Sequence, residues 1–367
     1  MSQPAARLPL WVDFGLIPLL NLVAAFAVAG LVVALIGENP LDVARIILYG
    51  AFGYGEGVGF TLFYATNFIF TGLAVAVAFH AGLFNIGGEG QAYIGGLGVA
   101  LVALGLDPYL PWWLLAPLAV IGAALFGALW AWIPAVLQAK RGSHIVITTI
   151  MFNFIAASLM AWLLVDVLNP GAGSMSPGTR FFDAEAVPPR LSEILAPFGV
   201  DLGGSPANLA LVAAVLAALG VWLLLWRTRL GYEIRALGHN SSAAAYAGVP
   251  IARVIIIAML ISGALAGMMA LNPVLGDQGR LLLEFPGGAG FVGIAVALMG
   301  RSHPLGVIFA ALLFGMLYQG GSELAFEKPS ISRDMLILIQ GLVILFSGAL
   351  ENLFRPALAR IFAPRAA

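Results

Sequence analysis

The sequence predicts an all-α membrane protein of about ten transmembrane segments, with inverted repeats and broken helices. Three observations carry that reading. Hydrophobic residues fill 61% of the 367 positions and charged residues 10%, whereas soluble domains average about 45–50% apolar and about 25% charged residues. Apolar runs of near-spanning length recur along the chain. Between them, Lys and Arg collect in alternate connections, as they do in cytoplasmic loops.

Taken in order, the first apolar run covers residues 14–36 behind Arg7. Ala25 and Ala27 imitate a signal-peptidase site, but the run exceeds an h-region of about 7–15 residues, so an uncleaved anchor is expected. A Gly-rich connection follows, with a short amphipathic piece at 41–48 that suits a helix lying on the interface. Further segments are expected at 61–80, 92–106, 111–137, 145–165, 209–226, 254–271, 291–300, 305–320 and 334–350. Residues 166–208 form a polar connection with five acids (Asp166, Asp183, Glu185, Glu193, Asp201) and two bases (Arg180, Arg190). With Lys140, Arg141, residues 227–252, Arg301 and the C-terminal arginines placed in the cytoplasm, both termini are cytoplasmic and 166–208 is extracytoplasmic. The expected organisation is a tail at 1–13, one polytopic domain at 14–352 and a second tail at 353–367.

Composition removes several functions. There is no cysteine, which excludes disulfides and thiolate chemistry. The only lysines, Lys140 and Lys328, follow Ala139 and Glu327, so no Gly-Lys-Ser/Thr phosphate loop exists and the chain has no P-loop ATPase of its own. His80, His144, His239 and His303 show no metal-ligand spacing, and no basic block points to nucleic acid. No cofactor is expected in this chain.

The most informative stretch is Phe84-Asn85-Ile-Gly-Gly-Glu89-Gly-Gln91, a polar, Gly-rich interruption with no basic residue nearby. Irregular backbone survives in lipid only when buried in protein or lining a cavity. An intramembrane carboxylate is a functional candidate, here expected to bond backbone amides or Asn85 and Gln91. Gly287-Gly-Ala-Gly290 repeats the pattern 200 positions later, placing Phe285 beside a second break. Segments two to five and seven to ten thus read as inverted repeats, an architecture that puts substrate at discontinuous helices near the midplane. Thr149 and Asn153 share a helix face. His80, Asn67 and Gln319 are lone polar residues in spans, whose usual role is interhelical bonding. In the basic connection, Asn240 and Ser241 cap a short Ala-rich helix that ends at Gly248-Val-Pro250.

Ser242-Ala243-Ala244-x-x-x-Gly248 resembles the Glu-Ala-Ala-x-x-x-Gly loop of ABC importer permeases, with Ser242 standing where that family has Glu. Together with residues 81–91 and 146–153, it makes the chain similar, over about 14–352, to the ribose/branched-chain amino acid permease family. The nearest likeness is to nucleoside and simple-sugar importer permeases. That resemblance implies a permease subunit in a bacterial-type inner membrane. It would work with a second homologous permease in a heterodimer, a tandem ATPase carrying ATP and Mg, and an extracytoplasmic substrate-binding lipoprotein. It implies a substrate pathway at Phe84, Asn85, Glu89, Gln91, Thr149, Asn153 and Phe285. ATPase coupling would fall to Glu233, Arg235, Gly238, Ser242, Ala243, Ala244 and Gly248. An ion-coupled transporter using Glu89 and Glu284 is the alternative. An intramembrane enzyme fares worst, since no His-Glu-x-x-His or Ser/His/Asp arrangement is present.

Overall fold

The computed structural model describes residues 16–171 and 177–329, with separate positions at 9, 12, 331, 335, 337–342, 345, 354, 358 and 362. The chain divides into two compact units, residues 52–316 and residues 1–51 with 317–367. Among the described residues, seven helices are long and apolar enough to cross a membrane, or eight if a bent pair counts as one span.

In the smaller unit, α1 (Ile17–Leu35) and α2 (Pro40–Phe52) meet across a bend of 118°. The expected interfacial piece is thus a longer helix, burying Val43, Ile47 and Gly50 and exposing Leu41, Leu48 and Phe52. Val12 and Leu358 pack with Ile17, so those positions of the two expected tails lie in an apolar cluster. About half of the last segment, 334–350, falls outside the described residues; its described positions, 335, 337–342 and 345, are helical.

The larger unit begins with α3 (Gly55–His80), followed by α4 (Gly88–Leu106), α5 (Trp112–Arg141) and α6 (Ile145–Trp162). Within the long polar connection lies a short α7 (Leu191–Leu195). Next come α8 (Ala210–Arg227), α9 (Arg229–His239), α10 (Ser241–Tyr246) and α11 (Ile251–Met268), the last continued by 3-10 and π turns to Gln278. α12 (Ala289–Met299) and α13 (Pro304–Glu327) follow, α13 passing the boundary between the units.

Helices α4, α5 and α11 form the densest part of this unit, and small residues explain how. Gly263 and Gly267, one turn apart on α11, abut Gly127 of α5 so closely that an added Cβ would strike backbone. Without a hydrophobic drive between helices in lipid, such backbone approach is what dispersion can use. α12 lies along α3, where Gly72 faces Val296 and Gly293 faces Thr71.

α12 has 11 residues, about 16 Å at 1.5 Å per residue, about half of a spanning length. The predicted eighth segment is therefore a half-helix. The polar connection folds back on the chain beyond α11. Amides of Thr179 and Phe182 donate to the carbonyls of Leu281 and Gly279, at 2.9 and 2.7 Å. Arg180 grips Asp107, at the end of α4, through both guanidinium nitrogens at 2.7 and 2.8 Å.

Candidate functional site

The interruption begins where α3 ends at His80, and it turns through Gly82 at φ +70°. Gly88–Gln91, predicted as part of the break, is already the first turn of α4. The second break runs from Gly279 to Gly288 and ends at the start of α12. Glu284, Gly287 and Gly288 there take left-handed φ values of 59°, 55° and 84°.

The two breaks meet. Glu89 Oε1 accepts from the amide of Gly288 at 2.7 Å, and Oε2 accepts from the amide of Gly290 at 2.8 Å. The carboxylate thus satisfies amide groups at the start of α12 that have no partner within that helix. It also sits in the first turn of its own helix, α4. Two helix N-termini, each with a partial positive charge, face one another with one carboxylate between them. Such placement is worth about 1–2 kcal/mol in partly buried settings. Close approach requires Gly290, since any Cβ there would collide with the Glu89 amide.

Behind this junction is a neutral polar cluster. Asn85 Nδ2 donates to Gln91 Oε1 and to Ser262 Oγ, both at 2.8 Å. Its Oδ1 accepts from the Gly87 amide at 2.9 Å and from Gln91 Nε2 at 3.2 Å. The Ser262 hydroxyl in turn donates to the Ala74 carbonyl at 2.6 Å. Asn153 bridges the break from α6, accepting from the Gly90 amide and donating to the Ile86 carbonyl, each at 2.9 Å. Thr149, one turn earlier and buried, bonds back to the Ile145 carbonyl at 2.8 Å and lies beside Gly87. A full set of partners matters because each buried polar group left unpaired costs about 1–3 kcal/mol.

The structure therefore gathers Asn85, Glu89, Gln91, Thr149 and Asn153 around one junction. Phe285 packs edge-on against Tyr93, with ring centroids 5.5 Å apart, and the Tyr93 hydroxyl accepts from the Glu284 amide. Phe84 instead stacks on Phe79 at 5.3 Å. Glu284 is exposed, whereas both Glu89 oxygens are taken up by the amides of Gly288 and Gly290. Among the described residues, no group of three or more His, Asp or Glu could hold a metal ion.

Sequence reasoning missed Ser262, which reads as an ordinary small residue of an apolar helix. It also missed a second buried polar chain, Asn208–Asn272–Asn67, joined side chain to side chain at 2.8 Å in each step. Asn67 had only the signature of a lone polar residue in a span.

In the basic connection, Thr228 caps α9 by accepting from the Gly231 amide at 3.0 Å. Asn240 caps α10 by accepting from Ala243 at 2.9 Å. Ser242, Ala243, Tyr246 and Gly248 are exposed, whereas Ala244 is buried against its own unit. Glu233 pairs with Arg229 at 3.1 Å. Arg235 is half-buried, and Gly238 packs against the carbonyl of His80.

Residues 57–348 match the family described as branched-chain amino acid transport system / permease component. The chain is 35% identical to the glucose ABC transporter permease protein TsgB13 of Haloferax volcanii, covering 94% of this chain and 89% of that one. It is 34% identical to the guanosine ABC transporter permease protein NupP of Bacillus subtilis, over 90% and 92% of the two chains. It is 32% identical to the nucleoside ABC transporter permease protein NupB of Lactococcus lactis, over 90% of each. A second permease of each bacterium also matches, NupQ at 26% and NupC at 29% identity. With a family match over most of its length and broken helices that meet in its interior, the chain belongs to this family as a multi-pass permease component of an ABC transporter, not its ATPase.

Proposed function

We propose that this chain forms part of the translocation pathway of an ATP-driven importer for nucleosides, with simple sugars as the second substrate class. The observation that carries the pathway is the junction of α4 and α12, backed by an amide-rich cluster without a free charge. Neutral amides exchange hydrogen bonds with a neutral solute at little electrostatic cost, whereas a charged lining would hold counter-ions. The Tyr93–Phe285 pair beside it offers an aromatic surface for a planar base. The names of NupP and NupB support nucleosides, and that of TsgB13 supports a sugar.

In this reading Phe84, Asn85, Glu89, Gln91, Thr149, Asn153 and Phe285 form the pathway or fasten it. A tandem ATPase, carrying ATP and Mg, docks on the α9–α10 arm, with Ser242, Ala243 and Gly248 on the contact face. Glu233 braces Arg229 within that arm, and Arg235, Gly238 and Ala244 hold the arm to the permease. Two different permeases share the guanosine name in B. subtilis and two share the nucleoside name in L. lactis. Those pairs support a heterodimer here, fed by an extracytoplasmic binding lipoprotein. The Lys/Arg distribution favours a bacterial-type inner membrane with both termini cytoplasmic; of the ten expected segments the eighth, α12, enters only as a half-helix.

The test is co-expression with the neighbouring permease, ATPase and lipoprotein genes, followed by uptake of labelled guanosine and glucose. ATP-dependent guanosine uptake is expected. Uptake without any partner ATPase would overturn the importer reading. The absence of cysteine permits single-cysteine labelling: positions 141, 235 and 355 should react only from the cytoplasmic side and position 183 from outside. Trp at exposed Ser242 or Gly248 should abolish ATPase co-purification while leaving the permease in the membrane.

A further inference from the structure

His80 ends α3 at a point where three other parts of the larger unit converge: α9, the end of α8 and the turn after α12. Its carbonyl abuts Gly238 of α9 so closely that a Cβ on that glycine would overlap it. Gly82, in the loop after α3, also approaches Gly238, where a Cβ added at Gly82 would lie 3.3 Å from the Gly238 Cα. The His80 ring stands edge-on to Trp226, at the end of α8, with centroids 5.3 Å apart. Trp226 in turn contacts His303 at 5.1 Å. His80 Nε2 lies 3.1 Å from the carbonyl oxygen of Ser302, which can only accept, so that nitrogen carries the proton and donates.

Ser302 belongs to the turn that closes α12. That turn holds two consecutive non-glycine residues, Arg301 and Ser302, at φ 50° and 53°. Left-handed backbone of this kind persists only where its surroundings hold it. Residues flanking one loop thus hold the two ends of this segment: Glu89 bonds the first turn of α12 and His80 bonds Ser302 in the turn that follows its last residue, Met299. The loop between those residues, 81–87, contains Asn85.

We infer that His80 is a positioning residue that carries movement of the α9–α10 arm into α12 and the Asn85–Glu89 junction. The arm presses on the His80 carbonyl through Gly238, where the backbones touch and no flexible side chain absorbs displacement. The His80 ring passes that displacement to the Ser302 turn and so to α12. The chain from Gly82 passes it to Asn85 and, through Glu89, to the other end of the same helix. Both broken helices then respond together to one movement of the arm. This inference rests on the proposed docking of an ATPase to that arm.

The test uses the complete importer reconstituted in lipid vesicles, scoring guanosine or glucose uptake, whichever the wild type shows, against ATP hydrolysed. His80→Ala removes the ring, while His80→Gln keeps an amide donor for the Ser302 carbonyl. His80→Ala should keep the ATPase bound and hydrolysing while uptake per ATP falls at least tenfold. His80→Gln should return it to within about threefold of wild type. Unchanged uptake per ATP in His80→Ala would overturn the inference. So would an equal fall in hydrolysis and uptake, loss of ATPase co-purification, or a Gln variant as poor as the Ala one. A wild-type complex that transports without ATP would instead remove the importer reading, before any variant is compared.

Discussion

The break ahead of α4 and the break ahead of α12 repeat one glycine pattern, yet they bring opposite chemistry to their meeting point. The first supplies side chains: Asn85 and Gln91 are buried and Glu89 spends both carboxylate oxygens on the other break. The second supplies backbone, with Gly288 and Gly290 offering amides and Glu284 turned outward. Likeness of the two segments is therefore one of glycine spacing alone, since Gly287 and Gly288 are left-handed and Gly87 is not, and their difference is what lets them dock. Two copies of the Glu89 version would oppose carboxylate to carboxylate, and two copies of the Gly290 version would leave both helix ends uncapped.

The largest predicted effect follows from removing the carboxylate that joins them at the start of α12. Glu89→Leu leaves the amides of Gly288 and Gly290 without acceptors, at about 1–3 kcal/mol each. Uptake should fall more than a hundredfold with permease still present in the membrane. Glu89→Gln retains one acceptor oxygen but turns an NH2 toward the second amide, and should lose about tenfold. Wild-type uptake in the Leu variant would mean that the junction is not part of the pathway.

A smaller effect is expected from the neighbouring helix. Asn153→Leu removes one acceptor and one donor at the break, from Gly90 and Ile86, without touching the Glu89 bonds. A drop of about ten- to thirtyfold in uptake, with Asn153→Asp no better because it cannot donate to Ile86, would assign Asn153 to holding the break. Full activity of Asn153→Leu would leave the first break supported by Asn85 and Glu89 alone.

Glu284→Ala should change uptake less than twofold, because the side chain is exposed and the break uses only backbone there. That variant also separates the two carboxylates that an ion-coupled mechanism would need. A large loss, or a changed response to sodium or pH, would restore Glu284 as an ion ligand and undo the contrast between the two breaks.

How much of this was legible in the sequence follows from what local patterns report. The apolar runs gave α3, α5, α6, α8, α11 and α13 because lipid and protein interior both select hydrocarbon over a full span. The caps of α9 and α10 were legible in part, since Asn240 lies next to the helix it caps. Glycine spacing pointed to two breaks but not to their contact, which joins residues 199 and 201 positions apart. Ser262, Asn272 and Asn208 were illegible as partners: a hydrogen bond between distant helices leaves no periodicity. His80 and His303, unrelated by spacing, are both brought against Trp226 only by the fold.

The smallest effect sharpens the comparison at the far end of α4, where Asp107 plays a part that resembles that of Glu89. Its carboxylate is wholly covered and is gripped by Arg180, whose side chain is 42% exposed. The hydrogen bond from Arg180 comes first among the influences holding Asp107 below the ordinary carboxylate range; burial opposes it and the Asp183 amide assists. A carboxyl whose folded pKa is depressed contributes stability that is fully present above its unfolded value of about 3.9. That contribution is lost as pH falls through the still lower folded value. Between pH 5.5 and 8 the contribution should therefore be constant, and Arg180→Ala should destabilise the detergent-solubilised permease by about 1 kcal/mol, given the exposure of the arginine. Adding Asp107→Asn should recover part of that loss, since the single variant leaves a covered charge without its partner. Below about pH 4 the difference between wild type and Arg180→Ala should shrink as Asp107 takes up a proton. Uptake at neutral pH should fall less than threefold in either variant, because this pair anchors the polar connection and not the junction. A pH-dependent gap between pH 6 and 8 would point to a group other than Asp107, and a large uptake defect would draw the outer connection into the transport step.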